Sequence, residues 1–427
     1  MQENTETYLL ECLLKKVQHS AFVGLFLSNG FEDRYGRWRW LLGCEILQET
    51  TDLSQVTVNA EEPWMGYISY DYKNEIEPLL RSENAKLSGF LPTKFIKPIT
   101  WVGMDREGVL HGNPEGKKLF CDLQLDLNQS SHNPENETES SLTKITWEPL
   151  TSRESYLNKV AQIKAHIVEG DFYEMNHCIA FGAMAEIDPV NTFVALNRKA
   201  PAPFAAFVKD GDQYLLCASP ERFIARRGEM LVSQPIKGTR KRVKVKGILG
   251  DQQKADEVAV TSLKNSIKDR AENVMIVDLV RNDLSRVCEP GTVMVPELCE
   301  VYSFSHVHQM ISTVVGKRTE DAGFKEVVHA TFPMGSMTGA PKIAVMQHTE
   351  TMENFARGIY SGSVGYAYQG EADLNVVIRS LVYDGQRKQL SYAVGGAITI
   401  DSIAEEEYQE CLDKAATVLS IFDVEMK

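Results

Sequence analysis

At 427 residues the chain is long enough for one large domain or two to three ordinary ones, and its 43% apolar and 24% charged residues are those of a globular protein with a substantial core. A formal charge of −14 points away from a nucleic-acid binder. The eight cysteines show no C-x-x-C pair and no metal-ligand spacing, which predicts reduced thiols in a cytoplasmic protein.

The N-terminal stretch "MQENTETYLLECLLKK" is polar and then amphipathic, unlike a signal peptide, and no apolar run reaches the about 18 residues that span a bilayer. Residues 1–126 read as strand-rich, with Trp38, Trp40, Trp64 and Trp101. Residues 127–147 are rich in Ser, Asn and Glu and read as an exposed linker or long loop. The sequons at Asn128 and Asn136 carry little weight in a cytoplasmic chain.

Residues 148–427 hold the remaining signals. Thr151 and Glu154 form a capping box, Tyr156, Val160, Ile163 and Ile167 form one helical face, and Gly170 is placed to stop that helix. The segment 212–236 reads as a strand, a loop and a hairpin, and 252–287 as one or two helices. Residues 332–346, "FPMGSMTGAPKIAVM", form a glycine-rich loop entering a helix at Pro341. That is either a plain turn or an anion cradle, and it lacks the G-K-[ST] ending of a Walker loop. Residues 361–400 read as a three-stranded meander with turns near Gly370 and Asp384-Gly385. A last helix is N-capped by Ser402, with the stripe Tyr408, Cys411, Leu412, Ala415 and Leu419. Strands and helices come in blocks, which predicts an α+β fold with largely antiparallel sheets.

Three charged stretches admit both a solvated and a chemical reading. In "SIKDRAENVMIVDLVRNDLSR" the acids Asp269, Glu272, Asp278 and Asp283 can pair with neighbouring bases, as Glu272 can with Lys268. In the last helix, Glu407, Glu410 and Lys414 face water or line a charged pocket. In "SQPIKGTRKR", Lys237 is either one charge of the run Lys237, Arg240, Lys241, Arg242, Lys244 and Lys246 or a nucleophile whose pKa that run depresses. Glu221 of "SPERF" is then a nearby proton donor or acceptor.

Taken together, "SPERF", "PIKGT", "KDRAENVMIVDLVRND", "GSMTGAPK", "SGSVGY" and "EYQECLDKA", in that order, resemble the chorismate-utilising enzymes, strongly over about residues 150–425. That family comprises anthranilate, aminodeoxychorismate, isochorismate and salicylate synthases. The resemblance implies two large antiparallel sheets with outer helices and a site between them. It also implies a Mg²⁺ ion on Glu272 and Glu410 that binds the ring carboxylate of chorismate. Thr239, Thr338, Gly339 and Ala340 would bind substrate, with the backbone of Gly339 and Ala340 as a carboxylate cradle. Arg379 would pair with the enolpyruvyl carboxylate, and Gly395 and Lys414 would border the site.

Lysine in the "PIKGT" motif is similar to the aminodeoxychorismate synthases, where anthranilate and isochorismate synthases carry alanine. This implies that Lys237 attacks C2 of chorismate as the C4 hydroxyl leaves, that Glu221 manages that proton, and that ammonia then displaces Lys237. Glu174 of "GDFYEMN" replaces the lysine that activates water in isochorismate-type members, and either orients ammonia or holds the site. Gln309 replaces the histidine that assists pyruvate elimination in anthranilate synthases, with His308 as a neighbour able to substitute. No G-x-C-x-G glutaminase elbow occurs, so a separate glutamine amidotransferase is the expected ammonia source. Anthranilate synthase, isochorismate synthase and a non-catalytic effector-binding subunit are the alternatives.

Overall fold

The computed structural model describes residues 2–129, 144–242, 249–304 and 307–426. The expected α+β architecture is observed: two large antiparallel sheets that share the long strand Thr93–Asp105. From that strand the first sheet runs through Trp38–Thr50, Phe22–Leu27, Phe204–Asp210, Gln213–Ser219, Ser380–Asp384, Gln389–Ile398 and Glu174–Met184. The second runs through Trp64–Ile68, Ser363–Tyr368, Glu371–Asn375, Arg222–Arg227, Met230–Gln234 and Val307–Lys317, and the last of these also pairs with Ile236–Lys241 and Met294–Ser303. One parallel pair, Asp423–Met426 on Lys144–Pro149, sits at the margin.

Two of the passages between the sheets are adjacent crossovers. Pro220-Glu221 carries the chain from the first sheet to the second, and residues 376–379 carry it back. The crossovers are bonded to each other, Val376 N donating to Glu221 O at 3.0 Å and Ala218 N to Arg379 O at 3.2 Å. Glu221 and Arg379 are therefore held at one seam.

Alternation along Glu174–Met184 sorts its side chains. Met175, Ile179, Phe181 and Ala183 join the core under the outer helices, with Tyr156, Val160, Ile163, Cys411 and Ala415. Cys178 and Ala180 belong to the core between the sheets. Each fully buried aliphatic or aromatic residue here contributes about 1.5–3 kcal/mol. A one-residue slip would exchange the two sets, so burial fixes the register that turns Glu174 inward.

Several local expectations change. The helix Arg153–Glu169 is capped by Ser152, because the Thr151 hydroxyl donates to Asn354 Oδ1 at 2.8 Å; Gly170, at φ +87°, ends that helix as expected. The last helix spans Ala404–Leu419 with Ile403 at the cap, and Ser402 instead donates to Glu407 at 2.8 Å. Residues 361–400 form two hairpins, not a meander: Ser363–Tyr368 with Glu371–Asn375 in the second sheet, and Ser380–Asp384 with Gln389–Ile398 in the first. The alternation was visible, but the change of sheet between them was not. The expected linker is helical at its start, within Pro114–Gln129, and a strand from Lys144; Asn136, Lys244 and Lys246 lie outside the described residues.

Candidate active site

Lys237 leaves the second sheet and reaches the first. Its strand, Ile236–Lys241, breaks register against Val307–Lys317 between Ile236 and Thr239. Within the break Gly238 takes φ +85°, and a Cβ there would lie 2.9 Å from Asp269 Cβ in the helix Ile267–Ser285. Only glycine allows that turn and that approach together. The bulge brings Lys237 beside the next turn of the helix, where Glu272 projects. Lys237 Nζ donates to Glu174 Oε1 at 2.8 Å, with the two side chains 10% and 1% exposed.

The electrostatics of Lys237 differ from the sequence expectation. Burial alone would lower its pKa, but Glu174, Glu272 and Glu221 outweigh burial and the net shift is upward. The basic run does not depress it, because Arg240 is bound to Asp269 and Arg242 to Asp256, both at 2.6 Å. In this state Lys237 is an ammonium held by carboxylates.

Burial pushes the Glu221 carboxyl up to about 7, with the nearby Ser336 hydroxyl and Lys237 ammonium limiting the rise. Burial likewise pushes Glu272 up to about 7 against the pull of Lys237. Glu272 Oε1 and Glu174 Oε2 are buried without a hydrogen-bond partner. Lys268 Nζ stands 4.0 Å from Glu272 Oε1 and donates to Glu407 at 3.2 Å, so Glu407 is buried structure and not part of a water-facing surface. On the same helix Glu410 is half exposed and pairs with Lys414 at 2.8 Å. Burial would raise Glu410, yet Lys414, Lys268 and Lys237 hold its carboxyl below the ordinary value. Lys414 Nζ also donates to Gly395 O at 2.9 Å. A side chain at Gly395 would lie 2.6 Å from Cys178 Sγ, so that position keeps the strands of Glu174 and Gly395 in close contact.

The glycine-rich loop closes one edge. Gly339 and Ala340 pair with Met175 and Glu174, and a Cβ on Gly339 would lie 2.1 Å from Glu174 O. Tyr173 N donates to Ala340 O at 2.8 Å and Asn176 N to Thr338 O at 2.7 Å. The Thr338 hydroxyl is turned back to Met334 O at 3.1 Å, inside its own loop. Arg379 adopts φ +51° at the seam; burial lowers its pKa, opposed by Tyr392 and Glu221. Its guanidinium has no hydrogen-bond partner among the described residues, which leaves it available to an anion.

Three positions separate from this group. Thr239 is exposed, opposite Gln309 in the strand pair. Gln309 is buried. His308 projects from the other face of its strand, bonded through Nδ1 to Ser303 at 2.8 Å and facing Asp256 at 3.4 Å, so it does not stand in for a histidine at 309.

Two features escaped the sequence reading. Arg357 and Glu353, each 1% exposed, form a buried pair at 2.6 Å. Arg357 also donates to Met337 O at 2.7 Å and Asn176 O at 2.9 Å, and Glu353 accepts from Cys178 N at 2.9 Å. The pair thus fastens the glycine-rich loop to the strand of Glu174. Its only sequence signal is an i,i+4 Glu–Arg spacing, which by default marks a solvated helix face. His177 is buried, stacked on Tyr156, and held neutral by burial, which pushes its pKa down to about 3.

Residues 26–420 match the signature of the chorismate binding enzyme family. The chain belongs to the chorismate-binding enzymes. Among members of that family, the chloroplastic aminodeoxychorismate synthase of Arabidopsis thaliana is 43% identical over 65% of the chain and 30% of its own length. Aminodeoxychorismate synthase component 1 of Escherichia coli K12 is 34% identical over 88% of the chain and 81% of its own. The present chorismate-binding chain therefore spans under a third of the plant relative. Its fold is that of the anthranilate synthase component I of Streptococcus pneumoniae, at TM-score 0.74 and 23% identity over 91% of this chain and 93% of that one.

Proposed function

We propose that the chain aminates chorismate at C4 to give 4-amino-4-deoxychorismate, the route to 4-aminobenzoate and folate, as component I of an aminodeoxychorismate synthase. The observation that carries this reading is the Lys237–Glu174 pair spanning the two sheets beside Glu221. Glu174, at hydrogen-bond distance, accepts the Lys237 proton and frees the amine. The amine bonds to C2 while the ring double bonds shift and the C4 oxygen departs as water, with its proton supplied by Glu221. A carboxyl that titrates near 7 is half protonated at neutral pH, which suits that donor role. Ammonia then bonds to C4, the double bonds shift back, and Lys237 leaves as the amine.

Mg²⁺ fits the donor set: Glu272 offers a buried oxygen without a hydrogen-bond partner, and Glu410 offers a second carboxylate. When bound, the ion supplies positive charge to the ring carboxylate of the substrate. Arg379 takes the enolpyruvyl carboxylate at the seam, and the backbone at Gly339 and Ala340 borders the ring carboxylate. A separate glutamine amidotransferase supplies ammonia, and the reaction is placed in the cytoplasm. Among the described residues no helix is long and apolar enough to cross a membrane.

Product analysis tests this reading. The chain is incubated with chorismate, Mg²⁺ and an ammonium salt above neutral pH, and the products are separated. A non-aromatic amine that yields 4-aminobenzoate only after a lyase is added supports it. Anthranilate, or isochorismate from water, overturns it.

A further inference from the structure

A second cluster of polar side chains lies outside the site just described. His166 is in the last turn of Arg153–Glu169, Asp171 follows the Gly170 cap, and His348 is on the helix Lys342–Met352. One nitrogen from each imidazole and one oxygen of Asp171 all lie within 4.8 Å of one another. His166 Nδ1 meets Asp171 Oδ2 at 2.8 Å, and His348 Nε2 lies 3.9 Å from the same oxygen.

The backbone builds this cluster. The left-handed turn at Gly170 folds the chain back, so that Asp171 N donates to His166 O at 3.0 Å and the carboxylate returns over the imidazole. Phe172 is 2% exposed and packs against both rings, at 5.1 Å from His348 and 6.1 Å from His166. The two imidazoles come to 4.4 Å between centroids.

We propose that His166, Asp171 and His348 bind a late first-row divalent metal ion of the Zn²⁺ class. Two imidazoles and a carboxylate suit Zn²⁺, Ni²⁺ or Cu²⁺ and are a poor match for Mg²⁺, which prefers oxygen donors. Zinc bonds of about 2.0–2.1 Å need donor atoms about 3.4 Å apart, and modest side-chain rotations bring these three there. Water completes the set, or Glu169, whose carboxylate is 3.7 Å from His166 Nδ1. Ligation takes unprotonated imidazole nitrogens and an ionised carboxylate, so protons and the ion compete for the site.

The location gives the ion a consequence. Asp171 lies three residues before Glu174, and His348 lies on the helix that follows the Gly339-Ala340 loop. Those two segments already meet through the Tyr173 N–Ala340 O bond. A bound ion clamps them together from outside.

The test is calorimetric titration of the metal-stripped full chain with Zn²⁺ in excess Mg²⁺, beside thermal unfolding. The variants are His166→Asn and His348→Asn, both at partly exposed positions, with circular dichroism confirming their fold. The expected result is one Zn²⁺ per chain that Mg²⁺ does not displace, a Tm raised by Zn²⁺, and affinity at least about tenfold weaker in each variant with the Tm rise lost. Wild-type affinity retained in either variant, or no ion bound by the unsubstituted chain at micromolar Zn²⁺, overturns the proposal.

Discussion

Lys237 and Glu174 belong to different sheets, and their 2.8 Å bond is a direct side-chain tie across the space where substrate is proposed to sit. Both ends are nearly inaccessible to water. Removing one partner leaves the other charge buried, which costs about 3–5 kcal/mol. Glu174→Ala is expected to lose that much stability in urea unfolding, and the double variant Lys237→Met/Glu174→Gln to recover most of it. Lys237→Ala is expected to bring amination to background while chorismate binding in Mg²⁺ persists; turnover at the parent rate would exclude a covalent role.

Glu221 sets a pH dependence. Its carboxyl titrates near 7 in the folded chain and in the ordinary carboxylate range when unfolded. The stability tied to its proton is fully present below that ordinary range and is lost as pH rises through about 7, to the extent of roughly 3 kcal/mol. Glu221→Gln removes this loss, so the variant is expected to gain stability relative to the parent between pH 5 and pH 8 (~3 units of the titration range). The same proton is the one proposed to reach the departing C4 oxygen. In saturating Mg²⁺, kcat/KM is expected to fall above pH about 7, and Glu221→Gln to lose amination by on the order of 10²–10⁴-fold with no such limb.

Gly238 is the backbone device that aims Lys237. Gly238→Ala meets a positive φ and a 2.9 Å approach to Asp269. The expected cost is about 1–2 kcal/mol of stability, with a fall in kcat larger than any change in KM, because the lysine moves and Arg379 does not. Unchanged kcat would show that the bulge is not what positions the amine.

Arg357 anchors the glycine-rich loop. Arg357→Met strands Glu353 without its cation and is expected to cost about 3–5 kcal/mol in chemical denaturation. Adding Glu353→Gln should restore part of that, since the amide no longer needs a counter-charge.

Glu272 is the proposed ion ligand with the buried bare oxygen. Glu272→Gln is expected to move the Mg²⁺ activation curve to at least about tenfold higher concentration. A superimposable Mg²⁺ titration would remove Glu272 from the ligand set.

Much of this was legible in the sequence, for identifiable reasons. The stripe from Tyr156 to Ile167, the Gly170 stop and the Gly370 turn are local patterns, and local sterics decided them. The caps at Ser152 and Ile403 lie one residue from the expected ones because the Thr151 hydroxyl is bonded to Asn354 and the Ser402 hydroxyl to the Glu407 side chain. The two hairpins in 361–400 were merged because alternation reports burial and not which sheet a strand joins. The candidate site residues come from ordered motifs, yet the pKa of Lys237 shifts upward, opposite to the depression its basic run suggests. Neighbours in sequence are basic, whereas its neighbours in space, Glu174, Glu272 and Glu221, come from three distant segments. Arg357 was missed for the same reason, its partners being backbone carbonyls at Asn176 and Met337.

The shared strand Thr93–Asp105 also bears on how the chain reaches this state. Its partner Trp64–Ile68 is completed on the other side only by Ser363–Tyr368, and Phe22–Leu27 only by Phe204–Asp210. During synthesis these early strands must wait, unpaired, for segments made far later. Pairings so remote in sequence are slow to form and leave open sheet edges meanwhile. A fragment stopped near residue 200 should therefore be prone to aggregation, and refolding of the whole chain should be slow and dependent on concentration.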